Sequence, residues 1–370
     1  MQPDLNNRHI ILGLSGGVDS AVAALLLKDA GADVQALHMT NWEDDDGYCT
    51  AAEDLQDARQ VCEQLDIPLH HVNFSEQYRD RVFAYFLDEY GAGRTPNPDV
   101  LCNREIKFGA FRDHAKRLGG ELLATGHYAR TAEIDGATAL LKAVDCDKDQ
   151  SYFLHAVADD ALAETVFPLG DLKKDEVRKI ARDRGLRIHD KKDSTGICFI
   201  GERPFREFLS TYLPANPGEI HTPDGKQVGT HSGLMYYTLG QRQGLHIGGR
   251  TDSGDEPWYV VDKDLENNIL VVVQGESDLL LSDSLLAAEP SWIGSPPAGL
   301  TDGLRCKAKI RYRQPDQDCT VNFAENNTVR VDFDEPQRAV APGQFVVFYA
   351  AERCLGGSAI IRALRPAGCS

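Results

Sequence analysis

The 370-residue chain lacks any long apolar run and any C-x-x-C pair, and it is short of positive charge. No stretch approaches the roughly 20 apolar residues that cross a bilayer. Polar residues interrupt the first ten positions, so no secretory leader is expected. The nine cysteines are scattered and odd in number, which argues against a disulfide scaffold or a zinc ribbon. These absences predict a protein of the reducing cytoplasm with no membrane partner.

Positive charge is scarce overall, with 39 Lys and Arg against 57 Asp and Glu and a net charge of −18. This total disfavours a nucleic-acid partner, because phosphate binding depends on Lys and Arg. Two stretches depart from the average. Residues 173–192 hold nine basic against four acidic residues, a local excess of +5. Residues 306–313 alternate basic and apolar side chains, which in a strand puts four cations on one face.

These two stretches are the candidates for contact with an RNA backbone, and a solvated outer face is the alternative for each. The cations of the alternating stretch are Lys307, Lys309, Arg311 and Arg313.

Strand and helix patterns alternate over the first ~130 residues. Strands are predicted at 9–14, 34–40, 68–74 and 121–125, and helices at 20–30, 51–65 and 76–90. The alternation predicts an α/β fold with a doubly wound parallel sheet, whose ligands bind beyond the carboxyl ends of the strands. The residue composition changes near residues 205 and 283, toward Pro, Gly and short β-rich runs. We therefore expect a catalytic domain over 1–208, a small turn-rich, β-containing domain over 209–282, and a C-terminal β-barrel over 283–370.

The first strand leads into ILGLSGGVDS, residues 11–20. Glycines let backbone N–H groups approach an anion, and a helix start adds partial positive charge, so the loop is predicted to hold phosphate. It lacks the lysine of the phosphate-binding loop that ends in GK[ST], and it does not match the dinucleotide-binding pattern G-x-G-x-x-G. Asp19 either starts the helix or holds Mg²⁺ against the phosphates. A turn that needs glycines only for its own geometry is the alternative.

Two cysteines stand in distinctive surroundings. Cys102 lies near the start of a predicted helix, where the helix dipole, Arg104 and Lys107 all favour thiolate. Asp99, one turn earlier, is a candidate base or metal ligand. Cys198 follows a glycine in DSTGICFIG. Buried filler is the alternative for any single cysteine. An iron–sulfur cluster on Asp99, Cys102 and Cys198 is disfavoured, because the usual ligand set is four cysteines.

GLSGGVDS is similar to the SGGxDS signature of the PP-loop ATP pyrophosphatases. With NPDVLCNREIKFG, ATGHYAR, KDQSYFL, STGICFIGER and RYR, essentially the whole chain resembles the bacterial tRNA-specific 2-thiouridylase family. That family thiolates C2 of the wobble uridine in tRNAs for Lys, Glu and Gln. The resemblance implies a HUP-like N-terminal domain, ATP with Mg²⁺, a tRNA substrate and an upstream sulfur-relay protein. A different adenylating enzyme with this loop, such as an amidating ligase, and a non-catalytic nucleotide- or RNA-binding protein are the alternatives.

The resemblance also implies roles for individual residues. Cys198 is expected to carry a persulfide, Cys102 to act as nucleophile, and Asp99 to assist proton transfer. A disulfide between the two cysteines would close the cycle. ATP is expected on Gly13, Leu14, Ser15, Gly16, Gly17, Val18, Asp19, Ser20, Met39 and Gly126. The expected tRNA contacts are Asn97, Pro98, Asp99, His127, Lys148, Asp149, Gln150, Lys307, Lys309, Arg311, Tyr312 and Gln344. From the residues alone, His127 is an ordinary strand-end residue.

Overall fold

The structure is a computed structural model that describes residues 4–43, 51–193, 203–247 and 256–364. The strands of these ranges are β1 (His9–Gly13), β2 (Asp33–Thr40), β3 (Leu69–Asn73), β4 (Leu122–Thr125), β5 (Arg130–Ile134), β6 (Ala137–Leu141), β7 (Thr165–Val166), β8 (Gly218–His221), β9 (Gln227–His231), β10 (Trp258–Asp264), β11 (Ile269–Gln274), β12 (Leu281–Trp292), β13 (Leu304–Lys309), β14 (Gln317–Ala324), β15 (Thr328–Arg338), β16 (Phe345–Ala350) and β17 (Arg353–Leu364).

The α-helices are α1 (Val18–Asp29), α2 (Ala51–Leu65), α3 (Ser75–Tyr78), α4 (Ala84–Gly91), α5 (Pro98–Leu101), α6 (Phe111–Arg117), α7 (Ser151–Leu154), α8 (Asp159–Ala163), α9 (Lys174–Asp183) and α10 (Phe205–Ser210). Two π-helical stretches, Arg79–Phe83 and Cys102–Ala110, join α3 to α4 and α5 to α6. None of the helices in the described ranges is long and apolar enough to cross a membrane.

The N-terminal sheet is parallel throughout and runs β3-β2-β1-β4-β7. The chain builds outward from β1 to β3 and then returns to the other side of β1 as β4. That reversal opens a crevice at the carboxyl end of β1, where such sheets bind ligands. Buried residues of α1, α2 and α9 cover one face of the sheet, and residues of α6 and its π-helical stretch cover the other. The expected doubly wound α/β domain is confirmed.

The helix that carries Cys102 consists of three consecutive helical stretches. Helix α5, the π-helical stretch and α6 run on as one helix over residues 98–117. The predicted helix at 76–90 likewise contains a π-helical turn. A π-helical turn adds a residue without ending the helix, so the apolar spacing in the sequence does not reveal it.

The C-terminal strands close into an antiparallel barrel in the order β12-β15-β14-β13-β16-β17, with β12 pairing back onto β17. Strands β8 to β11 form a separate four-stranded sheet. The hairpin β5–β6 leaves the N-terminal region and pairs with β17 of the barrel, in the register Cys354 to Leu140. The sequence patterns did not predict this attachment, which brings residues 142–154 to the seam between the parallel sheet and the barrel.

The expectation of a four-cation strand face was wrong. Strand β13 ends at Lys309, and Arg311 and Arg313 lie in the turn that follows. Lys309 is only 9% exposed and lies 3.8 Å from Asp316. Alternation in a sequence does not show where a strand stops, and here Gln314 caps the turn by accepting a hydrogen bond from the Ile310 amide at 2.8 Å.

The basic excess of residues 173–192 is also largely neutralised within the fold. Four of its cations form ion pairs with acids from outside the stretch. They are Lys174, Arg178, Arg184 and Lys191. The remaining five basic residues are nearly balanced by the four acids of the stretch itself, so the segment is not a strong cationic surface.

Candidate active site

The loop after β1 leaves its helix start uncapped by side chains. Gly17 is the N-cap of α1 and has no side chain to accept a hydrogen bond from the first turn of the helix. The first backbone N–H groups of a helix have no partner within the helix, so they point outward with the positive end of the dipole. Gly16 has φ of +81°, and a Cβ there would collide with the Asp54 backbone. Glycine is therefore required at this position, and the free N–H groups at the start of α1 are compatible with the predicted phosphate site.

Internal hydrogen bonds hold the loop in shape. The Ser20 hydroxyl donates to the Gly17 carbonyl at 3.0 Å and accepts from the Ser15 amide at 3.2 Å. On the opposite side, the buried ring of His38 donates from Nδ1 to the Leu14 carbonyl at 2.8 Å. Burial lowers the pKa of His38, which keeps the ring neutral. These hydrogen bonds hold the loop in its observed conformation.

The turn after β4 lies directly against the loop. A Cβ on Gly126 would be 2.9 Å from the Ser20 amide nitrogen and 3.1 Å from the Asp19 carbonyl carbon. Met39 lies near the end of the neighbouring strand β2 and is partly buried. The ten residues expected to bind ATP therefore meet at the carboxyl ends of β1, β2 and β4.

Asp19 has a basic partner that the sequence did not reveal. The ammonium group of Lys174, at the start of α9, lies 2.7 Å from both carboxylate oxygens of Asp19. The Tyr128 hydroxyl donates to the same carboxylate at 2.9 Å. The side chain of Lys174 is only 10% exposed. The loop therefore has a lysine beside it after all, supplied from 155 residues further along the chain.

Lys174 also reaches Asp193, at 2.8 Å. Asp193 accepts further hydrogen bonds from Lys148 at 3.0 Å and from Arg178 at 2.8 Å. Partial burial acts to raise the pKa of Asp193, but the bonds from Lys174 and Lys148 outweigh it and lower the pKa to about 2. The carboxylate is thus charged at neutral pH and joins the phosphate loop to the segment that leads toward Cys198.

This network predicts an acid-dependent part of the stability. Asp193→Asn is expected to lower the free energy of unfolding at pH 7 by about 1 kcal/mol after solvent screening. A carboxylate whose folded pKa is depressed stabilises above its unfolded pKa of about 3.9 and loses that contribution as the pH falls toward 2. Urea denaturation at pH 7, 4 and 3 should show the difference between variant and wild type shrinking.

The control for that series is Asp190→Asn, because the Asp190 side chain is 85% exposed. It should change the unfolding free energy by less than about 0.5 kcal/mol at every pH. A deficit in the Asp193 variant that stays constant down to pH 3 would contradict the assigned ion pairs.

The helix of residues 98–117 presents Asp99 and Cys102 one turn apart. Asn97 is its N-cap and accepts a hydrogen bond from the Asp99 amide at 3.2 Å, and Pro98 occupies the first helical position. Burial raises the pKa of Asp99, and Lys107 only partly offsets this. Cys102 is 3% exposed. Arg104, by contrast, is exposed and pairs with Glu105 at 2.7 Å, so it contributes less to this site than its position in the sequence suggests.

His127 connects this helix to the phosphate loop. It follows Gly126, is buried, and its Nδ1 lies 2.7 Å from the Thr125 hydroxyl. Burial, with a smaller contribution from Lys107, holds the pKa of His127 well below its usual range. The ring of Phe108, in the helix of residues 98–117, lies 5.9 Å from the His127 ring. The helix with Asp99 and Cys102 therefore packs against the turn that contacts the loop.

The segment 148–150, expected to contact tRNA, is tied into the fold. Asp149 is 4% exposed and accepts hydrogen bonds from the Ala143 amide and the Ser151 hydroxyl, at 3.0 and 2.9 Å. Gln150 accepts from the Tyr128 amide at 2.9 Å. These two side chains support the turn. Asp149 is buried, whereas Lys148, whose side chain is 35% exposed, and Gln150 are both partly exposed.

The barrel meets this segment through Tyr312. Its hydroxyl donates to the Lys148 carbonyl at 3.3 Å, and its ring lies 4.5 Å from that of Phe153. Arg311 donates to the Ala339 carbonyl at 2.8 Å, and Lys307 pairs with Asp318 at 3.2 Å. Tyr312 therefore brings the expected contacts of the barrel next to the expected contact Lys148, whereas the contacts of Arg311 and Lys307 lie within the barrel.

Cys198 lies outside the described residues. Its persulfide role, its pairing with Cys102 and the alternative iron–sulfur cluster therefore remain predictions. The part of the chain that the structure describes contains no group of three or more His, Cys, Asp or Glu side chains arranged to hold a metal ion.

Comparison with known proteins identifies the family. The model described as the tRNA methyl transferase HUP domain matches residues 8–202, the tRNA methyl transferase PRC-barrel domain matches 206–274, and the aminomethyltransferase β-barrel domain matches 282–361. The tRNA-specific 2-thiouridylase MnmA of Pseudomonas fluorescens strain SBW25 is 58% identical over 360 residues, covering 96% of each chain. The chain belongs to the tRNA-specific 2-thiouridylase family. The MnmA of Hahella chejuensis is likewise 58% identical, over 96% of this chain and 97% of its own.

Membership of the 2-thiouridylase family confirms the resemblance stated from the motifs. The sequence patterns missed Lys174, since no spacing links it to Asp19. They also missed Lys263, whose ammonium group donates to the Gly93 carbonyl at 2.8 Å just ahead of the Cys102 helix. The available signal for Lys174 was its position at the start of a helix pattern in a basic stretch.

Proposed function

We propose that this protein uses ATP to replace the C2 oxygen of the wobble uridine of tRNA with sulfur. The observation that carries the proposal is the turn at Gly126 and His127. On one side its backbone lies against Ser20 of the phosphate loop, and on the other the His127 ring lies 5.9 Å from the ring of Phe108, in the helix that carries Asp99 and Cys102. An anion held at the loop and a base held beside Asp99 and Cys102 would thus face each other.

The first step is adenylation of the base. The uracil O2 attacks the α-phosphorus of ATP, the bond to the bridging oxygen breaks, and pyrophosphate leaves while N3 gives up its proton. The uncapped start of α1 and the Lys174 ammonium group stabilise the negative charge of the leaving group. The raised pKa of Asp99 suits it to take the N3 proton.

The second step transfers sulfur from a persulfide on Cys198, loaded by an upstream sulfur-relay protein. In one route the Cys102 thiolate attacks the inner sulfur, which releases sulfide to attack C2 and displace AMP. In the other, the outer sulfur attacks C2, AMP leaves, and Cys102 then cleaves the S–S bond. Both routes end with thiolated tRNA and a Cys102–Cys198 disulfide, which a thiol reductant must reduce.

Mg²⁺ would neutralise phosphate charge, but the Asp19 carboxylate expected to hold it is engaged by Lys174. Both oxygens of Asp19 accept from Lys174. A magnesium ion at Asp19 would require Lys174 to release that carboxylate, and none of the steps above depends on it. Mg²⁺ usually relies on substrate phosphates for several of its ligands.

The decisive experiment is thiolation of wobble-uridine tRNA in vitro with ATP and either sulfide or a persulfide donor. We expect one sulfur and one pyrophosphate per tRNA, and no sulfur when the wobble uridine is replaced by cytidine. Cys198→Ser should respond to free sulfide if the sulfide-release route operates. Pyrophosphate release without sulfur gain under all conditions would favour a different adenylating enzyme.

A further inference from the structure

The helix that carries Asp99 and Cys102 begins after a loop, residues 93–97, that two other parts of the molecule hold. We propose that Gln344 of the barrel is a positioning residue for this loop, so that the placement of Asp99 and Cys102 depends on the barrel. The expected effect on the thiolation rate rests on the proposed function. The expected effect on the order of the loop can be measured independently of that function.

The barrel holds the loop through the turn at residues 342–344. The Gln344 side-chain amide donates to the Thr95 carbonyl at 2.8 Å and to the Pro96 carbonyl at 3.3 Å. In return, the Thr95 amide donates to the Pro342 carbonyl at 2.9 Å. A Cβ on Gly343 would lie 3.0 Å from three backbone atoms of Thr95, and φ there is +88°. The two segments are thus in contact along their backbones.

The turn is itself fixed to the barrel wall. The Gly343 amide donates to the Ile360 carbonyl at 2.9 Å, and the Ile360 amide donates to the Gln344 carbonyl at 2.7 Å. Ile360 belongs to β17, which pairs with both β12 and β16. Gln344 is therefore fixed to the closed barrel through β17, and the loop at residues 93–97 is held by a rigid part of the molecule.

The four-stranded sheet holds the other end of the loop. Lys263 of β10 donates to the Gly93 carbonyl, and the Thr95 and Thr238 hydroxyls are 3.1 Å apart. Burial lowers the pKa of Lys263 to about 8, because a charged ammonium group loses hydration when it is partly buried. The carbonyls of residues 93, 95 and 96 each accept from a side chain outside the N-terminal region.

A displacement of the loop would also displace Asp99 and Cys102, because the chain between them is stiff. Pro96 and Pro98 flank Asn97, and each ring fixes its φ, so few soft torsions remain between Thr95 and the helix. Asn97 caps the helix through the Asp99 amide. A displacement of about 1 Å in a reacting group can reduce a rate by about 10²-fold, so this loop needs a firm anchor.

The test compares Gln344→Met with Gln337→Met. Methionine keeps the shape of glutamine but removes the donors. Gln337 is a buried barrel glutamine whose amide donates to Gln317 and Glu335, so its variant controls for loss of barrel stability. Hydrogen exchange of peptides covering residues 92–101 should become at least about five-fold faster in Gln344→Met only. At saturating tRNA, single-turnover thiolation should fall about ten-fold while the tRNA dissociation constant changes by less than two-fold.

Unchanged exchange of residues 92–101 overturns the inference, whatever the rate does. Faster exchange with an unchanged thiolation rate at saturating tRNA overturns it as well. A variant that loses only affinity for tRNA would show that Gln344 contacts the RNA and does not position the loop. If the wild type transfers no sulfur, the proposed function is wrong. The exchange measurement still tests whether Gln344 holds the loop. Where Gln344→Met does not fold, Lys263→Met removes the hold from the other side and is judged by the same exchange measurement.

Discussion

Replacing Cys102 with serine is expected to abolish sulfur transfer, by at least about 10³-fold, while tRNA-dependent pyrophosphate release stays within a few-fold of wild type. Serine keeps the shape of the buried side chain, but its hydroxyl does not ionise near neutral pH and cannot form a bond to a persulfide sulfur. Adenylation needs the phosphate loop and not the thiol. Thiolated tRNA and released pyrophosphate are measured in the same reaction.

Cys62→Ser is the matched control for this experiment. Cys62 is another buried cysteine, in α2, and burial raises its pKa to about 12, so it is an inert thiol. Its serine variant should keep both activities within about two-fold. More than a tenth of wild-type sulfur transfer in Cys102→Ser would remove Cys102 from the mechanism.

Replacing Lys174 with methionine is expected to slow pyrophosphate release on the order of 10²-fold or more. The substitution removes the positive charge beside the loop and leaves Asp19 and Asp193 facing the phosphates. It should also lower the free energy of unfolding by about 2 kcal/mol, less than for a fully buried ion pair because both carboxylates remain partly exposed. Pyrophosphate release and urea denaturation are measured on the same preparation.

A double variant separates the two effects of Lys174. Lys174→Met with Asp19→Asn removes the unpaired charge, so stability should recover in part while pyrophosphate release stays low. Lys179→Met, on the exposed side of the same helix, should leave both measurements unchanged. Recovery of pyrophosphate release in the double variant would show that Lys174 serves only to neutralise Asp19.

The local patterns of the N-terminal region were read correctly because they depend on neighbours in the chain. Apolar runs of five to eight residues bounded by turns gave β1 and β2, and helix α2 matches its predicted bounds of 51–65. The glycines of the loop were predicted to shape a phosphate site, and Gly16 does occupy a position where a Cβ would collide with backbone, as does Gly126 in the neighbouring turn.

The order of the elements, the loop motif and the family are all evident from the order of residues in the chain. Which charges form pairs depends on the three-dimensional packing: Lys174 pairs with Asp19, and Lys309 turns inward toward Asp316. The packing also places Gln344 on the loop ahead of Cys102. The physical reason is distance along the chain. Hydrogen-bonded helices and alternating strands are specified within a few residues, whereas these partners are brought together by packing of the sheet and the barrel, which no local spacing encodes.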